Sequence, residues 1–469
     1  MNWRETHHPA RLEERLSDGV VRCNLSPRRC TLKPGQKGFC NVRANRDGRL
    51  VTLNYGKGLR PTEEVIETEA VFHYAPSEAI LSLGNIGCML NCDYCQNWKT
   101  SQVKWIDNND VVQHTPEQIV QKALDHNIRV LSWTYNDPVV WQEFVLETAA
   151  LAKSAGIKNL YKSAFYITPE AVDELLEVID IFSLSIKSIN ADYYRKLTKG
   201  RLEPVLEATR QVYASGKHLE ISTLMVTDLS DSEKDAREIA GFILNDLGPE
   251  VPLHFVRFHP DYKLIDTVRT PIDRLTRARK VALDMGVHNV YLGNVYDQEA
   301  SSSYCRSCNA ILVHRFGLST RVTGLGPTGK CVACGEQSTI TLLGGQAEHP
   351  SERPTENAVK QTVSWRGEIR SAHIQLSNSG GSAKRAWFRP LPTTNGDDDW
   401  RMVSIGAGEE YRFMVSQNEA AETGVQLALD PSITGEMHEI FDRAHFPTVT
   451  IDNDGLSTDS TPLPRYKRP

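Results

Sequence analysis

Between about residues 79 and 293, short apolar runs alternate with amphipathic stretches. Seven runs predict strands: Ile80–Ile86, Ile128–Trp133, Lys158–Tyr161, Ile181–Ile186, His218–Met225, Leu253–Phe258 and Val287–Leu292. The stretches between them predict helices. Thr115-Pro116, Thr168-Pro169 and Thr270-Pro271 each place a capping hydroxyl before a proline at the first helical position. Gln118 gives Thr115 the spacing of a capping box. After Thr168, the residues Ala171, Leu175, Leu176 and Ile179 form an apolar stripe suited to packing on a sheet. Serial β-α units imply an α/β fold with a parallel sheet, either a full or partial barrel or a doubly wound sheet. In both, chemistry collects at the C-terminal ends of the strands. Cys88 lies just past the first of those ends.

The flanks read differently. Residues 1–78 carry cysteine-bearing loops and predict a small sheet from Leu50–Tyr55 and Ala70–His73. From about 340 to 360 the chain turns to Gly, Glu, Ser, Pro and Asn, the composition of a linker. Beyond it, His373–Leu376, Ala386–Arg389, Met402–Ile405, Glu410–Val415 and Val425–Leu429 predict strands. Turn signals at Gly380-Gly381, Asn395-Gly396 and Gly406 separate them, as in an all-β sandwich-like unit. The expected plan is an N-terminal region over 1–78, an α/β body over 79–300, a four-cysteine unit over 301–340, a β unit over 360–452 and a tail over 453–469.

Composition narrows the class. The chain has 469 residues, 40% of them hydrophobic and 24% charged, an ordinary globular balance. No run of about 18 apolar residues offers a membrane span. The charged opening MNWRETHHPARLEERL does not resemble a secretory leader, so a cytoplasmic location is expected. With 53 Lys+Arg against 59 Asp+Glu, the net charge of −6 lacks the basic footprint of a nucleic-acid binder. The 10 cysteines fall into three groups, and grouping in a reducing compartment points to metal or redox chemistry.

The segment from Ser82 to Trp98 contains Cys88-x3-Cys92-x2-Cys95. Three closely spaced thiolates suit an iron–sulfur cluster, whereas structural zinc normally takes four closed ligands. Three thiolates leave one iron of a four-iron cluster open to another ligand. Gly84 and Gly87 permit tight turns around such a cluster, and Tyr94 supplies an aromatic surface beside it.

Four segments in order, Cys88–Trp98, Trp133–Pro138, His254–Lys263 and Tyr291–Val295, resemble the radical S-adenosylmethionine (SAM) superfamily. Within it they look like the radical SAM enzyme of the AmmeMemoRadiSam system, itself similar to pyruvate formate-lyase activating enzyme. The resemblance covers about residues 20–340. It implies a partial (β/α) barrel in which Cys88, Cys92 and Cys95 hold a [4Fe-4S] cluster. It further implies that the fourth iron takes the amino and carboxylate groups of SAM. One electron from the reduced cluster, supplied by a flavodoxin- or ferredoxin-like reductant, would then cleave SAM. The products would be methionine and a 5′-deoxyadenosyl radical that abstracts hydrogen.

By the same resemblance, Asn136 and Asp137 lie in the segment that holds the SAM amino group. An N-cap ahead of Pro138 is the alternative for Asp137. Lys187 matches the lysine that meets the SAM carboxylate, with a solvated surface charge as the alternative. His254 matches a histidine near the SAM ribose, against a structural role. Arg257 and His259 share a strand end and could line the substrate pocket. The chain also departs from the pattern. Thr-Asn-Gly becomes Lys162-Ser163-Ala164, and Asp-Leu-Lys becomes Ser185-Ile186-Lys187. The N-terminal pattern C-x2-C-x3-C-x9-C becomes Cys23, Ser26, Cys30 and Cys40, where serine is a poor substitute for a soft thiolate.

Cys305-x2-Cys308 and Cys331-x2-Cys334 form paired knuckles. Brought together they make an all-sulfur tetrahedral site, read as a zinc ribbon ahead of an auxiliary iron–sulfur cluster or a disulfide pair. Three functions are compatible with these features. The first is a radical SAM enzyme acting on a small molecule, peptide or protein. The second is an activase that installs a glycyl radical on a partner enzyme. The third is a catalytically inactive zinc-binding protein.

Overall fold

The computed structural model describes residues 5–344, 353–365, 369–391, 400–416, 423–441, 448–452 and 455–458. All seven predicted core strands form. Strand β1 (Thr62–Val65) leads into β2 (Ala79–Gly84), β3 (Val130–Thr134), β4 (Lys158–Ser163) and β5 (Ile181–Ser185), then β6 (His218–Met225), β7 (Leu253–Arg257) and β8 (Val290–Gly293). Strands β2 to β8 pair in parallel, each beside its predecessor, and β1 joins β2 antiparallel. Helices α1 (Pro116–Asp125), α2 (Gln142–Ser154), α3 (Pro169–Val178), α4 (Glu203–Ala214), α5 (Glu233–Phe242) and α6 (Ile272–Met285) connect them. Among these, α1, α2, α3 and α4 pack side by side in order, as do α5 and α6.

The two faces of the sheet differ in chemistry. Leu131, Trp133, Tyr161, Phe182, Leu184, Ile221 and Phe255 face the helices in one continuous core. The opposite face starts apolar, with Ile80, Val130, Leu160 and Ile181 under Ile66, Val71 and Ala75. Further along the strands it turns polar, through Ser132, Lys162, Ser183, Glu220 and Ser222. Residues 66–77 therefore close the end at which the strands begin, because they leave β1 where Val65 pairs with Ala79.

Local signals held unevenly. Thr115 and Gln118 form the expected capping box. Thr168 does not cap its helix; its hydroxyl donates to Asn24 O at 2.7 Å and ties the N-terminal region to α3. Thr270 is likewise spent elsewhere, donating to Met225 O and accepting from Phe258 N, and the helix starts at Ile272. The strand expected at Ala70–His73 is a turn, with Ala70 left-handed at φ 53°. Glu220 takes the Phe72 and His73 N–H groups that a strand neighbour would have received.

Strands β9 (Ile311–Phe316) and β10 (Ser319–Val322) form the hairpin of the four-cysteine unit. The C-terminal unit comprises β11 (Val359–Trp365), β12 (Ile369–Asn378), β13 (Lys384–Leu391), β14 (Arg401–Ile405) and β15 (Glu410–Ser416). It continues with β16 (Thr423–Leu429), β17 (Ile433–Phe441), β18 (Thr448–Asp452) and β19 (Gly455–Thr458). One antiparallel sheet runs β11-β16-β13-β14, and the other runs β15-β12-β17-β18-β19. Their inner faces meet through alternating residues, such as Ala372, Ile374 and Leu376 against Val425, Leu427 and Leu429. The expected turn at Asn395-Gly396 lies outside the described residues, and β19 occupies part of the expected tail. Edge strand β15 docks on β1 at Phe413 and Glu63. Arg401 and Tyr411 both bond the Glu63 carboxylate, and Arg60 meets Glu410 at 2.6 Å. Among the described residues, no helix is long and apolar enough to cross a membrane.

Candidate active site and metal centre

The loop after β2 carries the three central cysteines over the C-terminal edge of the sheet. Gly87 adopts φ 88°, and a Cβ there would sit 2.9 Å from Val42 Cγ1, so only glycine fits this turn. Asn54 Nδ2 holds Ile86 O at 2.9 Å, and Asn85 Nδ2 holds Gly87 O at 2.9 Å. Asn91 N and Asp93 N donate to Thr198 O and Leu197 O, which fixes the loop to the turn that follows β5. Asp93 then binds both Lys199 and Lys263 at 2.8 Å. Trp98 Nε1 donates to Asp261 at 3.1 Å, and its ring stacks on Tyr262 at 5.4 Å. Asn294 Nδ2 reaches Arg257 O at 3.2 Å. The four motifs, remote in sequence, thus share one end of the sheet.

The cysteines are half-buried and carry donors aimed at sulfur. Leu90 N lies 3.3 Å from Cys88 Sγ, and Ser101 Oγ lies 3.4 Å from Cys95 Sγ. Burial pushes the Cys92 thiol up to about 12, and Cys88 and Cys95 rise for the same reason. Burial thus works against thiolate at all three positions, and a bound metal is the kind of charge that offsets it. The Lys187 ammonium acts in the same direction on Cys92 and Cys95. Among the described residues, its Nζ finds no hydrogen-bond or ion-pair partner. Donors to sulfur, a nearby unpaired cation and three convergent thiols fit an iron–sulfur group.

The other expected SAM residues divide into two groups. Tyr94 is buried and packs against Tyr193, Val226 and Phe258 beside Cys92. Asn136 accepts from Thr100 Oγ1 at 2.9 Å and donates to Asn85 O, bracing the cysteine loop. Asp137 caps the turn before Val139 and also accepts from Ser163 Oγ at 2.8 Å and Ala164 N at 2.9 Å. Burial outweighs these bonds and lifts its carboxyl to about 6. His254 is placed elsewhere. Its Nε2 bonds Glu220 at 2.7 Å, and its ring lies edge-on to Phe72, in the group that closes the base of the sheet. Glu220 is fully buried, accepts from four donors and sits well below the usual carboxylate range. A carboxylate between Leu219 and Ile221 in a buried strand was the available signal for it. Lys162 is similar: its Nζ meets Ser183 Oγ and Ser222 Oγ at 3.0 Å, and burial lowers it to about 8.

The four-cysteine unit is a separate centre. Its two knuckles repeat one geometry: Cys305 N donates to Ala310 O and Cys331 N to Glu336 O, both at 2.8 Å. Asn309 N and Gly335 N return to Cys305 O and Cys331 O, both from left-handed backbone. The ligand atoms all lie within 4.8 Å of one another, with Cys305–Cys334 at 3.6 Å and Cys308–Cys331 at 3.7 Å. Zinc–sulfur bonds of about 2.3 Å would place tetrahedral thiolates about 3.8 Å apart. The quartet therefore matches a single ion. It is fixed to the base of the sheet: Arg315 pairs with Glu67 at 3.3 Å with both side chains fully buried, and Thr341 N donates to His73 O at 2.9 Å.

The model of the radical SAM superfamily matches residues 85–243. An uncharacterized protein of Methanocaldococcus jannaschii is 38% identical over 330 residues, covering 70% of this chain and 98% of its own length. The chain belongs to the radical SAM superfamily. It is a radical SAM enzyme, and membership implies a [4Fe-4S] cluster and SAM. The pyruvate formate-lyase-activating enzyme of Clostridium pasteurianum is 26% identical over 202 residues, 38% of this chain and 80% of that one. The structure of Streptococcus suis SuiB bound to S-adenosylmethionine aligns over 49% of this chain and 53% of its own, with 12% identity and a TM-score of 0.38. The reading as a catalytically inactive zinc-binding protein falls with this membership.

Proposed function

We propose that Cys88, Cys92 and Cys95 hold the [4Fe-4S] cluster, with SAM beside it at the open end of a partial (β/α) barrel. Helices packed in sequence along one face of the sheet support that winding. When bound, the cluster and SAM supply a one-electron cleavage that yields methionine and a 5′-deoxyadenosyl radical for hydrogen abstraction. The chain's own part is orientation. Lys187 offers the SAM carboxylate an ammonium that is in no hydrogen bond or ion pair among the described residues. Asn136 and Asp137 set the strand-end backbone through Asn85 and Ser163, and Tyr94 screens Cys92 from water. His254 acts by holding Glu220 rather than by touching SAM. The contacts of Asn136, Asp261 and Tyr262 with the loop that bears the three cysteines carry this reading.

The four-cysteine site is proposed to hold one structural zinc ion, because its sulfurs are spaced for a single atom. A small electron-transfer protein would supply the electron, with no nucleic acid or membrane involved. Likeness to glycyl-radical activating enzymes is at most 26% identical and spans 24–44% of the chain, so an activase role is not adopted.

Anaerobic reconstitution followed by iron and sulfide counting, electron paramagnetic resonance and a dithionite-driven SAM-cleavage assay tests the proposal. Four irons lost on Cys92→Ala, with 5′-deoxyadenosine formed only by the parent, is the expected result. A chain that takes up no cluster, or a Cys92→Ala variant that keeps one, would overturn it.

A further inference from the structure

Behind the cysteine loop stands a cation without an acidic partner. Arg28 lies on the N-terminal loop between Cys23 and Cys40. Its Nε donates to Met89 O at 2.7 Å, and its Nη2 donates to Lys199 O. The guanidinium lies 3.4 Å from the centre of the Phe39 ring and 5.6 Å from that of Tyr166. Arg28 is half-buried. The buried Arg43 and Arg315 and the half-buried Arg401 each face a carboxylate: Arg43 with Glu143, Arg315 with Glu67, and Arg401 with Glu63. Arg28 has none among the described residues. Withdrawing a guanidinium from water without a counter-charge is costly. The ionisable groups that act on it are the Tyr166 hydroxyl and the thiols of Cys30, Cys88 and Cys40. A thiolate at Cys88, next to the Met89 carbonyl that Arg28 holds, would supply such a counter-charge.

We propose that Arg28 is a positioning residue for the cluster: its fixed charge favours the reduced state, and its fork holds the cysteine loop against the turn after β5. This rests on the assignment of Cys88, Cys92 and Cys95 above. Three thiolates on an oxidised four-iron core of charge +2 carry a net charge of −1, and one added electron makes it −2. A cation held against the backbone of the cysteine loop at Met89 stabilises the more negative form more strongly, and the effect is larger in a partly buried site than in water. The two carbonyls it binds, Met89 O and Lys199 O, belong to different segments, so the same side chain also sets where Cys88 sits. Arginine suits both tasks because its planar fork reaches two acceptors while keeping its charge.

The test compares Arg28→Met, Arg28→Gln and Arg28→Lys in the reconstituted full chain. Iron content and the cluster midpoint potential, from a dithionite titration followed by paramagnetic resonance, are measured without any turnover. Removing the charge is expected to shift the reduction equilibrium about tenfold toward the oxidised form, about 59 mV for one electron. Arg28→Lys, which keeps the charge but only one of the two carbonyl contacts, is expected to keep the parent potential with some loss of iron. If Met and Gln variants lose the cluster while Lys keeps it, the charge requirement is upheld. Equal potentials in all four proteins, or equal loss of cluster in all three variants, refute it. A parent chain without a cluster would instead sink the underlying assignment.

Discussion

Replacing His254 by Ala separates a contact with SAM from a role in the base of the sheet. The imidazole gives Glu220 one of its four donors, at 2.7 Å, and the others come from Phe72 N, His73 N and His218. Deleting the ring therefore costs one hydrogen bond to a charged acceptor, about 1.5–3 kcal/mol. Loss of its edge-on packing with Phe72 at 4.8 Å adds about 0.5–1.5 kcal/mol. A total of about 2–4.5 kcal/mol should appear as a lower urea midpoint, followed by tryptophan fluorescence. His254→Gln, which keeps a donor, should recover the larger share. Equilibrium SAM binding under anaerobic conditions should change by less than tenfold, the equivalent of about 1.4 kcal/mol. An unchanged urea midpoint with SAM binding weakened tenfold or more would refute this reasoning and restore the ribose contact.

Other perturbations address the remaining features. His73, bonded to Tyr291 OH and Thr339 Oγ1, is held neutral by burial, with its pKa lowered from 6.5 to about 3. The unfolded chain takes up this proton below about pH 6.5 and the folded chain does not. Stability should be full above that pH and fall as it drops toward 3; urea midpoints at pH 8 and 5.5 should differ less in His73→Gln. Cys331→Ser should remove the metal of the four-cysteine site and speed amide exchange over residues 303–340, while iron at the central cysteines is retained. Glu143→Leu should cost about 3–5 kcal/mol in a denaturation midpoint, because it strands the Arg43 guanidinium in the core.

The strands of the α/β body were legible because their helix-facing positions are apolar throughout and the opposite positions begin apolar before turning polar. The paired knuckles were legible from spacing alone. What could not be read was which polar residues the fold recruits inward. Thr168 and Thr270 follow the capping pattern, yet tertiary acceptors at Asn24 and Met225 compete successfully for their hydroxyls. Arg28 looks like one more charge in the run Pro27-Arg-Arg until the loop folds behind Met89. The bond between His254 and Glu220 could not be read either, because Glu220 is nearly invisible within a strand-like run.

The junction between β1 and β15 has a bearing on how this chain can be shortened. A version ending before the C-terminal β sheets would present the outer rim of β1 to solvent, with the bridge at Glu63 lost and its carboxylate stripped of Arg401 and Tyr411. Such a rim is a template on which a second molecule can add its own strand. A truncated chain should therefore tend to self-associate, and a shorter homologue must guard that rim by some other means, such as a lysine, a proline or a bulge.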